Sequence, residues 1–375
     1  MRSSVSIVRC SNYDTELVHA MVRKAVDLVG GIRSFVKSGE KVLIKPNLLK
    51  ACSPDAAVTT HPEIVRAVIR LVHEAEGIPF IGDSPGIGEE EEVFNRSGIL
   101  TVIEEEGASL ADFGDSVALK GLGRFQRFEI ARPAVMADVI INLPKLKSHG
   151  MMVLTGAVKN LFGCIPGKIK VQWHFNAGID HSSFAHMLVE LSALLKPRLN
   201  ILDAVVGMEG NGPGSGVPRP IGLILAGQDP VALDVIAGII LGVSPLQVPV
   251  IQAASKACIG ESRINHICIL GEAINDVKIK DFILPQLMHT EWPIPEWARR
   301  CLKDALTTRP VINRHLCINC GVCQKDCPRG AIEEKADGLI IDYRNCIRCF
   351  CCQEFCPKGA ITVGKGWMLK LLIRD

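Results

Sequence analysis

CINCGVCQKDCP, residues 317–328, recurs 29 residues later as CIRCFCCQEFCP, residues 346–357. Each stretch reads C-x2-C-x2-C-x3-C-P. The repeat extends past the cysteines, since CPRGAI returns as CPKGAI. A disulfide framework requires neither this spacing nor its duplication. Zinc ribbons use two CxxC pairs, not a triple followed by a fourth Cys before Pro. The spacing is that of the bacterial ferredoxin run, in which the fourth Cys of one run ligates the other cluster. Two [4Fe-4S] clusters are therefore expected, one on Cys317, Cys320, Cys323 and Cys356, the other on Cys346, Cys349, Cys352 and Cys327. Cys351 falls out of step with the spacing. Cys10, Cys52, Cys164, Cys258, Cys268 and Cys301 are scattered and read as inert thiols.

Around this stretch lies a chain of 375 residues with a net charge of +2, long enough for two or three domains. No basic run is interleaved with aromatics, so a nucleic-acid partner is not expected. The N-terminus lacks the apolar region of a signal peptide. The greasiest run, VALDVIAGIILGV, is too short to span a bilayer. The reading is a cytoplasmic protein with no transmembrane segment. From Arg314 onward ten Lys and Arg face seven acids, a surplus suited to an acidic electron carrier.

The first 300 or so residues alternate strand-like and helix-like segments. KVLIKPN, IPFIGDSPG, ADVIINLPK, LNILDAVVG and IGLILAGQD read as strands. THPEIVRAVIRLVHEAEG reads as a helix with Thr60 as N-cap and Gly77 as its stop. SSFAHMLVELSALLK and PVALDVIAGIILG are further helices. The expected fold class is α/β: a helix-covered, mainly parallel sheet, with a two-lobed form as one variant, followed by a small ferredoxin-like α+β domain. The expected boundaries are 1–288 for the α/β domain, 289–310 for a linker, 311–365 for the ferredoxin domain and 366–375 for a tail.

Ligands of open α/β sheets sit beyond the carboxyl ends of the strands. Those ends carry Lys45 and Asn47, then Asp83 and Ser84, then Lys145, Lys147 and His149, then Glu209 and Asn211, then Asp229. The glycine-rich stretch GMEGNGPGSGVP is expected to bring backbone N–H groups to a ligand. From Val139 to Ile179 there are five lysines and no acid. An extended backbone puts Lys145, Lys147 and His149 on one face. A helix over VLTGAVKNLFG puts Thr155 and Lys159 on another. The stretch reads as a site for a carboxylate or phosphate. Nucleotide motifs fail: GCIPGKIK is one residue short of a phosphate loop and has Ile169 where Ser or Thr belongs, and PGIGEE lacks its last glycine.

LIKPNLLKACSPDAAVTTHPEIVRAVI, INLPKLKSHGMMVLTGAVKNLFG and DAVVGMEGNGPGSGVPRPIGLILAGQDPVALDVIAGIILG resemble, in this order, the signatures of the domain-of-unknown-function 362 family. The resemblance covers roughly residues 5 to 285. Many members carry a C-terminal ferredoxin domain. The functional positions it implies are Lys45, Asn47, Lys145, Lys147, His149, Lys159, Asn160, Glu209 and Asp229. More distantly the domain looks like the two-lobed fold of the nickel-pincer lactate racemase family, without that family's full histidine set.

The expected function is an iron–sulfur oxidoreductase that passes low-potential electrons through both clusters to an anionic small molecule held by the α/β domain. Lys145, Lys147, His149 and Lys159 are the candidate catalytic residues. The lysines hold the negative group, and His149 or a lysine of lowered pKa gives the proton. Lys45, Asn47, Asp83, Asn160, Glu209, Asn211 and Asp229 are candidate substrate contacts, with Asp83, Glu209 and Asp229 orienting the lysines or holding a metal. The expected partner is an electron donor or acceptor protein of the ferredoxin or flavodoxin type. The alternatives are an electron-transfer protein without a substrate of its own, and a racemase-like enzyme with structural clusters.

Overall fold

The computed structural model describes residues 2–167, 169–170, 173, 181–285, 308–336 and 338–364. The chain opens with strands β1 (Ser3–Arg9), β2 (Lys41–Pro46), β3 (Ile78–Ile81) and β4 (Ser109–Leu110). A separate hairpin, β5 (Ser116–Lys120) with β6 (Arg127–Ala131), comes before β7 (Val139–Leu143), β8 (Lys145–His149) and β9 (Val153–Thr155). Then follow β10 (Leu199–Glu209), β11 (Val217–Gly227) and β12 (Ile267–Gly271).

Ten strands form one sheet in the order β12-β1-β11-β10-β7-β2-β3-β4, with β8 pairing beside β10 and β9 closing on β8. Most neighbours are parallel. Strand β11 is antiparallel to both β1 and β10, and β9 to β8. Both faces are covered, which is why β2, β7 and β10 read as nearly unbroken apolar runs. Alternate residues serve opposite cores. Leu43, Ile140 and Leu202 join one hydrophobic cluster, while Val42, Ile44, Ile141 and Ile201 join the other.

Two local expectations change. The helix Pro62–Glu74 is capped by His61, whose ring nitrogen accepts the Glu63 amide at 3.2 Å. Thr60 instead accepts the Asn47 amide and donates to the Leu143 carbonyl, tying the ends of β2 and β7 together. Thr155 ends strand β9, and the helix begins only at Ala157. There the buried carboxylate of Asp234 accepts the amides of Ala157 and Val158. A Cβ at residue 156 would stand 2.0 Å from that carboxylate, so this start requires glycine.

In the cysteine-rich region, β13 (Arg309–Ile312) pairs antiparallel with β16 (Ile361–Gly364), and β14 (Ile332–Lys335) with β15 (Gly338–Ile341). A short helix follows each CxxCxxC start, at Val322–Lys325 and Cys351–Phe355. The tail and most of the expected linker lie outside the described residues.

Candidate functional site

The duplicated run folds into two matching cradles. Cys317, Cys320, Cys323 and Cys356 line a cavity of about 340 Å3 with Ile312, Leu339 and Ile361. Cys327, Cys346, Cys349 and Cys352 line a second cavity of about 340 Å3 with Ile332, Ile341 and Phe350. Each fourth cysteine accepts the amide four residues on: Ala331 N–H to Cys327 Sγ at 3.2 Å, and Ala360 N–H to Cys356 Sγ at 3.1 Å. Four thiolates around an apolar space, with amides turned on the sulfurs, are a donor set that a [4Fe-4S] cluster fits. Among the described residues no three His, Cys, Asp or Glu converge as tightly as a single metal ion requires. A four-iron cluster holds its thiolates further apart than one ion does.

The cations of the α/β sheet are less free than their acid-free surroundings in sequence imply. Lys45, fully buried, lies 2.8 Å from Asp83 and donates to the Pro46 carbonyl. Lys145, also buried, lies 2.8 Å from Asp203 and donates to the Tyr13 hydroxyl at 2.7 Å. Tyr13 donates in turn to Asp203 at 2.7 Å and stacks on the His61 ring. Burying a charge without a partner is costly, and acids distant in sequence meet that need. Lys147 is the exception. Among the described residues its ammonium reaches only neutral acceptors, Asn47 Oδ1 and Val58 O, each at 2.7 Å. Burial, and then the neighbouring Lys159, lower its pKa to about 7. His149 accepts the Met151 and Met152 amides at Nδ1, and burial followed by Lys159 lowers its pKa to about 4. It is neutral at physiological pH and poorly suited to give up a proton there.

A cavity of about 620 Å3 opens between the sheet and the cysteine-rich region. Asn47, Asp83, Lys159, Asn160 and Lys170 line it from the α/β side, and Glu354 and Phe355 from the helix Cys351–Phe355. Lys159 has no hydrogen-bond acceptor or ion-pair partner among the described residues. Lys170 donates to the Ser84 and Pro85 carbonyls, and burial lowers its pKa to about 8. Gly163 forms part of the wall, where a Cβ would stand 1.9 Å from Asp83 Oδ1.

The expected residues thus divide. Asn47, Asp83, Lys159 and Asn160 meet at the cavity, while Lys147 and His149 stand behind it, on Asn47 and Glu354. Lys45 and Lys145 are held in buried ion pairs. Of the three acids expected to orient Lys145, Lys147 and Lys159, none touches those lysines among the described residues; Asp83 pairs with Lys45 instead. Glu209 accepts the Ile283 amide and faces Arg219, away from the cavity. Asp229 caps the helix Pro230–Ile240 and accepts from Ser3 and Glu261. The glycine-rich loop holds no ligand groups of this cavity. It seats the cysteine-rich region, with Asn211 accepting from Gln353, Ser215 donating to the Cys356 carbonyl, and Gly214 packed on the Glu354 carbonyl.

Residues 42–238 match the family described as Domain of unknown function (DUF362). A thylakoid-associated protein of Synechocystis sp. is 37% identical over 304 residues, spanning 81% of this chain and 94% of that protein. The chain belongs to the DUF362 family. As in the members expected from the sequence, a second match follows the DUF362 part: residues 309–357 match a 4Fe-4S dicluster domain, which points to iron–sulfur electron transfer. The lactate racemase apoprotein from Thermoanaerobacterium thermosaccharolyticum aligns with a TM-score of 0.41 and 13% identity, over 61% of this chain and 54% of that one. Among the described residues of this DUF362 protein no helix is long and apolar enough to cross a membrane.

Sequence reasoning passed over Tyr13, Asp203, Asp234, Lys170 and Glu354. A signal existed for two of them: Asp203 and Asp234 each interrupt an otherwise apolar strand or helix. Nothing local marks Glu354.

Proposed function

We propose that this DUF362 protein is an iron–sulfur reductase whose anionic small-molecule substrate binds in the 620 Å3 cavity. One observation carries the reading. The cavity wall is shared between Lys159, from the helix Ala157–Asn160, and Glu354 and Phe355, which lie between Cys352 and Cys356. Each of those cysteines lines a different four-cysteine cradle. Two [4Fe-4S] clusters in the cradles supply one-electron transfer at low potential. Lys159 takes the negative group of the substrate, and the charge of Lys147, relayed through Asn47, deepens the positive field. Lys170 keeps a third N–H beyond its two carbonyl partners, and its pKa near 8 makes it the proton donor at neutral pH. Phe162, Leu48 and Phe355 exclude water from the same space. Electrons come from a ferredoxin- or flavodoxin-type protein in the cytoplasm. The thylakoid association in the relative's name fits a peripheral contact of such a protein with a membrane.

The test is a reoxidation assay. Anaerobically purified protein is reduced with dithionite, freed of excess, and followed by visible and EPR spectra as small-molecule fractions of a cell extract are added. Reoxidation by one fraction, lost in Lys159→Ala at unchanged iron content, supports the reductase. Reoxidation by protein fractions alone makes the chain an electron carrier and sinks the proposal.

A further inference from the structure

Three asparagine side chains cross the sheet in a line that ends at the cavity. Asn200 on β10 donates through Nδ2 to the carbonyls of Gly227 and Gln228, at 3.2 and 2.9 Å. Both are obligate acceptors, so the amide orientation of Asn200 is fixed and its oxygen faces the opposite way. That oxygen accepts from Asn142 Nδ2 at 2.9 Å, and Asn142 Nδ2 also donates to the Ala157 carbonyl at 2.9 Å. Asn142 is fixed in turn, and its oxygen accepts from Asn160 Nδ2 at 2.8 Å. Asn160 Nδ2 also faces the Lys45 and Pro46 carbonyls, at 3.4 and 3.5 Å. Flipping any amide of the series would set oxygen against oxygen. The donors are therefore all spent toward the sheet, and the last acceptor, Asn160 Oδ1, is left over.

That atom is buried and has no hydrogen-bond donor among the described residues. Asn160 is 5% exposed and lines the 620 Å3 cavity beside Lys159. Buried polar atoms are almost always paired, and an orphan at a binding cavity marks a place for a ligand group. We infer that the ligand of this cavity carries a hydrogen-bond donor, a hydroxyl or an N–H, next to its anionic group, and that Asn160 Oδ1 accepts from it. This rests on the anion site proposed above and narrows it from any small anion to a hydroxylated or N–H-bearing one. A site built around an acceptor discriminates against the analogue that lacks the donor, because binding the analogue leaves the acceptor buried and unpaired.

Anaerobic, cluster-loaded protein is titrated by calorimetry with two pairs of acids, acetate against glycolate and butyrate against 3-hydroxybutyrate. At least one hydroxylated acid is expected to bind about tenfold or more tightly than its plain partner. In Asn160→Leu that ratio falls to near one, whatever the change in the plain acid's own affinity. Equal affinities within both pairs, or a ratio that survives in Asn160→Leu, overturns the inference and leaves the anion site standing. Failure of all four acids to bind overturns both. Should Asn160→Leu lose its fold, Asn160→Asp keeps the shape and an acceptor. It should weaken both acids of a pair while preserving their ratio, and a ratio of one in that variant overturns the inference.

Discussion

His149 Nε2 stands 3.0 Å from Glu354 Oε1, joining strand β8 to the helix Cys351–Phe355 across 205 residues of sequence. The other ring nitrogen is occupied by two backbone amides, so the single proton of the neutral ring sits on Nε2, which lies beside the carboxylate without hydrogen-bond geometry. Both side chains are buried. Glu354→Ala would remove the buried carboxylate packed against that ring and should cost roughly 0.5–3 kcal/mol of stability. Glu354→Gln keeps an acceptor of the same length and should lose less. Thermal unfolding of the cluster-loaded protein compares them, and equal losses would refute a role for this contact in holding the cysteine-rich region.

The crossed pairing of cysteines makes a prediction that single substitutions cannot. Cys323 and Cys356 line the same cradle although 33 residues apart, whereas Cys323 and Cys327 line different ones. With two clusters the parent should hold about eight irons per chain. Cys323→Ser with Cys356→Ser should retain about four, and Cys323→Ser with Cys327→Ser should lose nearly all. Iron analysis and EPR of reduced samples read this out. The opposite order of losses would mean the cradles are assigned wrongly.

Gly163 has a steric reason to be glycine. A Cβ there would lie 1.9 Å from Asp83 Oδ1 and 2.5 Å from Lys45 Nζ, both members of a buried ion pair. Gly163→Ala should therefore destabilise by about 1–3 kcal/mol and disturb the cavity wall. Urea unfolding measures the first effect and anion titration the second. A variant of parental stability would show that the loop shifts freely.

Lys147 gives the stability a pH dependence of known sign. Its pKa is about 7 when folded and returns to its ordinary 10.5 when the chain unfolds. Between those values the unfolded chain binds a proton that the folded chain does not, so stability rises with pH over that window. Lys170, at about 8, adds to the rise. Lys159, Lys145, Cys52 and Glu354 are the charged or titratable groups that act on Lys147 besides burial. Urea midpoints at pH 7.5 and 9.5 should increase in the parent and increase less in Lys147→Met. Over the same range anion binding should weaken, since the cavity loses positive charge. A parent midpoint that falls with pH would contradict the buried, depressed lysine.

How much was legible in the sequence follows from the range of the interactions. The cysteine spacing is a local device, and so is the strand period that carries Lys145, Lys147 and His149. The partners that decide what those side chains can do come from far away. Lys45 and Asp83 are 38 residues apart, and Lys145 and Asp203 are 58 apart. An acid-free stretch of sequence is therefore no guide to an acid-free site. Asp229 carried a stronger local message than the one taken from it. An Asp directly before Pro at the start of an apolar helix is an N-cap, and that is its place. Glu209 and Asn211 stand apart from the cavity because β10 runs eleven residues: it ends at Glu209, on the Ile283 amide, and Asn211 just beyond it meets Gln353 of the cysteine-rich region.

The segment carrying Glu354 and Phe355 is pinned at both ends by cysteines of different cradles, Cys352 on one side and Cys356 on the other. With the clusters assigned as above, oxygen damage or iron shortage at either one frees an end of this segment. On the proposed reading, the cavity would then lose a wall along with its electron supply. If the reductase proposal holds, substrate binding would in that sense be conditional on iron sufficiency, and a chain unable to deliver electrons would not sequester the molecule it otherwise reduces.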